Sequence, residues 1–285
     1  MVVACCVITK LLDNYRSHDA LLRVPSELFY TGSLRCKAPA EITSTCQDFE
    51  MLHDGCNFPM IAYDVHDGIE RNKVDTPSFY NEKECFAVVK LINALLDSPN
   101  VHINTGQIAV ITCFRAQVLK MREILRSNDL GAVNVGVVED FQGQETFVVL
   151  ISTVLTQNQY RWNSEAKGGL GFMMDPKRFN VAITRASALC IIVGKVEYLE
   201  ESGSYWTALI EHVRRNNGMS GDFPSAYHCE NSYNGSISDF DYGIAAFMEK
   251  VNDLQLSLGS AHEIDRYDMY ERGYFQDAPE WKVCL

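Results

Sequence analysis

Residues 108–138, IAVITCFRAQVLKMREILRSNDLGAVNVGVV, decide how the chain folds. The first five, Ile108-Ala109-Val110-Ile111-Thr112, are almost uniformly apolar, as strands buried on both faces of a parallel sheet are. Ala116 to Arg126 then carries Val118, Leu119, Ile124 and Leu125 at helical spacing. Val133 to Val138 returns to a short β-branched run. Strand, helix and strand in so short a stretch predict a right-handed crossover between parallel strands.

The same alternation extends in both directions. Met60–Val65, Phe147–Val154 and Leu189–Gly194 read as further strands. Asn81 to Leu96 reads as a helix with Phe86, Val89, Leu91, Ile92, Leu95 and Leu96 on a broad apolar stripe. Asn81 is its expected N-cap, with Glu84 closing a capping box. Asp175-Pro176 reads as the cap and first turn of another helix, and Trp206–Val213 as one more. The fold class that follows is α/β, a doubly wound and mostly parallel sheet. Val2–Ile8 is apolar but short, with no basic segment before it, and reads as a core strand rather than a signal peptide. Asp97–Gly106 and Gln157–Gly171 read as surface loops, the second expected to move because it holds Gly168, Gly169 and Gly171. After about Gly221 the texture turns to Ser, Asn, Asp and Tyr, with one amphipathic stretch at Ile244–Leu258. The expected division is a domain over 1–221 and an irregular, partly disordered acidic extension over 222–285.

Composition agrees with an ordinary soluble protein, at 47% hydrophobic and 22% charged residues. No stretch is long enough to span a membrane. The net charge of −12 argues against a dedicated nucleic-acid binder. The charge is uneven, however. Residues 222–285 hold 12 acidic and 4 basic side chains, whereas the first 221 hold 25 and 21, so a basic groove fits only the main body. The ten cysteines form no C-x-x-C pair and no zinc spacing. They read as reduced thiols, which suits the cytoplasm, with the nucleus as the alternative.

Four segments carry chemistry. The first is Asn14-Tyr15-Arg16-Ser17-His18 with Pro25-Ser26-Glu27-Leu28-Phe29-Tyr30. Tyr15 and Arg16 offer a flat ring and a guanidinium side by side, suited to a base and a phosphate. The plainer alternative is a core tyrosine beside a surface arginine, and His18 reads as a structural hydrogen-bonder. The second segment is Ile108–Phe114. The third, Val138-Glu139-Asp140-Phe141-Gln142-Gly143-Gln144-Glu145, ends directly before a strand. There Gly143 permits a positive φ, Gln142 brings an amide and Glu145 a carboxylate suited to hydroxyls. An ordinary capping turn explains the same residues. The fourth is Asp175 to Ala186. Arg178 and Arg185 are seven apart and are expected on one helix face, a phosphate-binding arrangement unless both serve surface salt bridges. No Ser/His/Asp or Cys/His arrangement is present.

In this order and spacing the four segments resemble the later motifs of superfamily-1B RNA helicases, and among them the Armitage-type RNA-silencing helicases, relatives of the nonsense-mediated-decay helicase. Leu12–His18, Val138–Glu145 and Lys177–Arg185 carry the similarity, with Gly169-Leu170-Gly171-Phe172 in support. It covers roughly residues 8–221. The resemblance implies a C-terminal RecA-like lobe that works with an N-terminal RecA-like lobe, ATP and single-stranded RNA, with RNA-silencing proteins as partners and ribonucleoprotein granules as a location. It implies that Tyr15 stacks on adenine, that Arg16 and Arg185 reach the γ-phosphate as arginine fingers, and that Glu145 holds the ribose. Gly143 and Arg178 would complete the nucleotide contacts, with Gln142 coupling nucleotide to RNA. Thr112, Phe114, Arg115, Gln142 and Thr184 would touch the RNA backbone.

Three departures matter. No G-x-x-x-x-G-K-[ST] loop occurs, and no Asp-Glu pair stands where a magnesium ligand belongs. In the family both sit on the first lobe, so Mg2+ ligands are expected there, no metal site is expected here, and the chain is expected not to hydrolyse ATP alone. Cys113-Phe114 also stands where the family shows Pro-Tyr. The alternative is a regulatory or RNA-binding module that pairs with a complete helicase.

Overall fold

The computed structural model describes residues 11–52, 58–72, 78–156 and 175–222. All of them fall within one compact unit, Met1–Tyr233. The expectations for Val2–Ile8, Gln157–Gly171 and 222–285, apart from Asp222, lie outside the described residues.

A six-stranded parallel sheet organises this unit, in the order β10-β3-β9-β8-β6-β7. Its strands are β3 (Met60–Asp64), β6 (Ile108–Thr112), β7 (Asn134–Val137), β8 (Thr146–Ser152), β9 (Ala186–Gly194) and β10 (Met219–Gly221). The doubly wound α/β expectation holds. β6 leads outward to β7, and the chain then returns past β6 to build β8 and β9 on the other side. Two small two-stranded pairs lie outside this sheet, β1 (Asp13–Asn14) with β2 (Arg35–Cys36) and β4 (Arg71–Asn72) with β5 (Phe79–Tyr80).

Helices cover both faces. On one face α3 (Glu82–Asp97) and α4 (Arg115–Ser127) bury Val88, Ile92, Val118 and Met121 against Val110, Val148, Leu150 and Ile191. Strand alternation turns Ala62, Val149, Ile151 and Ile192 to the other face, and all four are fully enclosed. That side is served by α1 (Asp19–Tyr30), α5 (Pro176–Ile183), α6 (Val196–Glu201) and α7 (Ser204–Arg215), while α2 (Ala40–Thr43) is a single turn. Phe179 of α5 and Trp206 of α7 pack edge to face with ring centroids 5.0 Å apart, both almost wholly buried.

Helix α1 is the element that periodicity did not announce. Pro25 lies inside it and removes one backbone donor. Leu21, Leu22, Val24 and Leu28 are buried along it, and the His18 ring nitrogen Nδ1 caps it by accepting from the Ala20 N–H at 3.1 Å. His18 is thus a structural hydrogen-bonder.

The capping box at α3 is only half formed. Asn81 caps the helix by accepting from the Glu84 N–H, but its own N–H donates to Gln117 Oε1 at 2.8 Å. The Glu84 carboxylate instead crosses to the end of β8, where it accepts from Ser152 Oγ at 2.6 Å and the Val154 N–H at 2.9 Å. Asn81 Nδ2 donates to the Val154 carbonyl at 3.3 Å. Val154 has φ +72°, and the Leu155 N–H returns to the Thr153 carbonyl at 2.8 Å. A tight turn of this kind centred on a β-branched residue is rare and strained. Glu84 and Asn81 hold it.

Burial pushes the Glu84 carboxyl from its ordinary value near 4.5 up to about 8, against the hydrogen bonds that favour its charged form. The folded state therefore holds this proton more tightly than the unfolded state. Its contribution to stability is complete below about pH 4.5 and is lost as pH rises to about 8. Denaturant titrations across that window should show stability falling with pH. Glu84→Gln should flatten this part of the slope; an unchanged slope would show that Glu84 is already ionised in the folded protein.

Candidate functional site

The site is assembled by strand register. β8 and β9 are parallel with Thr146 opposite Ala186, so the residues just before each strand emerge side by side. These are Glu145 and Arg185. The Thr146 N–H donates to the Arg185 carbonyl at 3.2 Å, which fixes the two segments to each other.

Arg16 reaches this edge from the far end of the sequence. Asn14 Oδ1 accepts from the Arg16 and Ser17 N–H groups, both at 2.9 Å, folding the chain sharply after β1. The His18 N–H donates to the Ser187 carbonyl at 3.0 Å, which pins the turn to β9. Arg16 Nε then meets Glu145 Oε2 at 2.5 Å. Tyr15 stands beside it with 70% of its surface exposed, unusual for so large an aromatic ring.

Arg185 is not on the helix where sequence spacing put it. Helix α5 ends at Ile183 and Thr184 caps it, so Arg185 occupies the turn into β9. Its guanidinium is gripped by protein oxygens. Nε donates to the Val181 carbonyl at 2.9 Å, one terminal nitrogen to the Gln144 carbonyl at 3.0 Å, and the other to Thr184 Oγ1 at 3.2 Å. Burial first, and then the positive charge of Arg16, hold Arg185 below its ordinary value, while Glu145 and Tyr30 pull the other way. It stays cationic regardless, because a guanidinium starts so high. Two arginines therefore share one carboxylate, and the cluster has an excess of positive charge.

The remaining expected residues divide. Gln142 and Gly143 are exposed at the centre of a turn closed by the Gln144 N–H to the Phe141 carbonyl at 3.0 Å. Gly143 has φ +79° with open space around it, so conformation and not crowding selects glycine. Arg178 is not in the cluster; it pairs with Glu139 at 2.8 Å and lies 3.9 Å from Asp175. The shared helix face for Arg178 and Arg185 is thus corrected, because the helix ends two residues before Arg185. Thr184 uses its hydroxyl locally, donating to the Asn180 carbonyl at 2.7 Å.

Thr112, Phe114 and Arg115 follow the carboxyl end of β6, at the opposite edge of the sheet from Glu145 and Arg185. Arg115 is exposed. Thr112 is fully buried, and Phe114 is 4% exposed with its ring edge-on to Phe79. Both side chains are therefore enclosed, and Arg115 is the one of the three that faces solvent. Tyr30 was missed as a member of the site. Its hydroxyl accepts from Asn180 Nδ2 at 3.5 Å and its phenol influences Arg185. Its position in the first motif was the available signal.

Comparison with known proteins bears on what this edge serves. Residues 3–197 match the model of a family described as an AAA domain. Human RNA helicase Mov10l1 is 37% identical over 239 residues, covering 84% of this chain and 19% of that protein. The mouse RNA helicase Mov10l1 is 40% identical over 220 residues, covering 76% and 18%. A Drosophila melanogaster probable RNA helicase, armi, is 31% identical over 237 residues, covering 76% and 19%. The chain belongs to the AAA-domain family, among the Armitage-type superfamily-1 helicases. It spans about a fifth of the length of these curated relatives.

Within this helicase domain no group of three or more metal-ligating side chains occurs among the described residues. No described helix is long and apolar enough to cross a membrane. The five cysteines described are free, and burial pushes the thiols of Cys46 and Cys190 up to about 12.

Gly143→Ala should destabilise the domain by about 1–2 kcal/mol, the cost of placing a Cβ in the left-handed region. Gly143→Asn should cost less, since Asn tolerates that region better. Urea denaturation of the three proteins checks this; equal stability of Ala and Gly would show that the turn is not held at φ +79°.

Proposed function

We propose that the domain is the second motor lobe of an ATP-dependent, 5′ to 3′ RNA helicase. The observation that carries this reading is the convergence of Arg16, Glu145 and Arg185. Arg16 and Glu145 are 129 positions apart in sequence, yet they meet at one sheet edge beside an exposed tyrosine ring.

The residues present fit a nucleotide. Phosphate oxygens would meet Arg16 and Arg185, whose mutual repulsion an added anion relieves. Arg185 is pre-organised by the Val181 and Gln144 carbonyls and Thr184, so little side-chain freedom is lost when it takes a phosphate oxygen. Such a guanidinium opposes the charge that builds on the transferred phosphoryl group. Arg16 would exchange its partner Glu145 for phosphate, leaving that carboxylate for ribose hydroxyls. Tyr15 would supply the face on which adenine stacks. Magnesium would draw its protein ligands from a first lobe and would supply neutralisation of phosphate charge there.

RNA would run along the opposite edge, where Arg115 opens α4, and Gln142 would relay nucleotide state from its exposed turn. Contacts of this kind to the backbone suit a motor that must pass any sequence. RNA-silencing proteins as partners, and the cytoplasm with its granules as location, are part of the same proposal.

The experiment pairs the chain with a separate first lobe carrying a G-x-x-x-x-G-K-[ST] loop. The chain alone should show no RNA-stimulated ATP turnover; measurable turnover from the purified chain would overturn the two-lobe reading. With the first lobe present, Arg185→Ala should lower kcat by about 10³-fold or more while RNA affinity changes little. Equal losses in both would show that Arg185 does not meet the γ-phosphate. RNA binding by the pair without any ATP turnover would favour a regulatory module instead.

A further inference from the structure

A cleft of about 350 Å³ opens between the last turns of α4 and the start of β7, at the outer edge of the sheet. Arg122, Arg126 and the segment Gly131–Val135 line it. Two strands, β6 and β7, separate it from β8 and its arginine cluster, so it is a different site.

The two arginines are four apart on α4 and share one face. Among the described residues neither pairs with a carboxylate, whereas Lys120 on the same helix has two, Glu82 and Glu123. The stem of Arg126 lies over Gly131, with Cγ 3.3 Å from where a Cβ would stand. That close approach brings the guanidinium to the cleft.

The floor is the free edge of β7. One terminal nitrogen of Arg122 donates to the Val135 carbonyl at 2.5 Å, and Asp140 Oδ2 accepts from the Val137 N–H at 3.0 Å. Both groups therefore face away from β6. The Val135 N–H points the same way as its own carbonyl, into the cleft, as strand geometry requires. Arg122 and Asp140 already occupy its neighbours, so a whole extra strand cannot pair here. What remains is one backbone donor beside two guanidinium forks.

We propose that this cleft captures a carboxylate presented by an acidic peptide segment of a partner protein. The guanidiniums of Arg122 and Arg126 and the N–H of Val135 would hold its two oxygens, a pattern matched to the planar carboxylate fork. Glu123 and Asp129 flank the arginines along the chain, so a partner that brings a single carboxylate into the cleft is favoured over an RNA backbone, which carries a charge at every unit.

The test titrates the full chain with a fluorescein-labelled octapeptide of valine and serine carrying one central glutamate, followed by fluorescence anisotropy. Its counterpart with glutamine at that position and an oligouridine are titrated in parallel. The glutamate peptide should bind at least about tenfold more tightly than the glutamine one, the scale of a charge-assisted hydrogen bond. Arg126→Gln should erase that difference, Arg126→Lys should restore part of it, and the Val135 amide resonance should move on binding. Arg126 is exposed, so its replacement leaves the fold intact, and oligouridine binding should be unchanged by it. Equal binding of the two peptides, no binding of either, or an unmoved Val135 amide would overturn the proposal. So would a loss of oligouridine binding in Arg126→Gln as large as the peptide loss, which would make the cleft a phosphate contact.

Discussion

Everything at the candidate site depends on one backbone alignment, β8 beside β9 with Thr146 opposite Ala186. Most residues of both strands have no exposure on either face, so neither strand can shift without turning apolar side chains to water. A slip of one residue would reverse every side chain in the strand. The register from Val148 opposite Leu189 onward is therefore strongly specified, and a one-residue shift between Thr146 and Val148 then sets Thr146 opposite Ala186, which places Glu145 beside Arg185. The cluster thus rests on core packing and on this one irregularity, with Arg16 brought in by a further device, the Asn14 turn.

This explains what could be read in the chain beforehand. The strands were legible because burial on both faces leaves a continuous apolar run: β6 agrees residue for residue, and β8 and β9 differ only at their ends. Tyr15, Arg16, Glu145 and Arg185 were legible through motif wording, and the structure brings the last three into mutual influence. Arg178 was misread because spacing alone cannot tell where a helix stops. Thr184 capped α5 early, and the turn it made sent Arg185 elsewhere. The burial of Phe114 was not legible because a residue just past a strand can lie either under or over the following helix. The aromatic contact with Phe79, distant in sequence, decided it.

Helix α1 and the Glu84 network escaped for a related reason. Pro25 is a helix-breaker by propensity, and tertiary packing of Leu21, Leu22 and Leu28 overrode it. Glu84 fitted a local rule, the capping box, and a long-range partner took its carboxylate instead. Local rules describe what a side chain does when nothing better is within reach. Inside a doubly wound sheet, the carboxyl ends of the strands offer unpaired backbone donors, and these compete for any buried acceptor.

Val154 has one more effect. A β-branched residue prefers an extended backbone and would normally lengthen a strand. Here the left-handed angle, held by a carboxylate on one side and an amide on the other, stops β8 at Ser152. The depth of the sheet at its centre is thus set by a single unfavourable torsion. Whatever crosses that end of the sheet passes over a floor whose height the buried Glu84 and Asn81 determine.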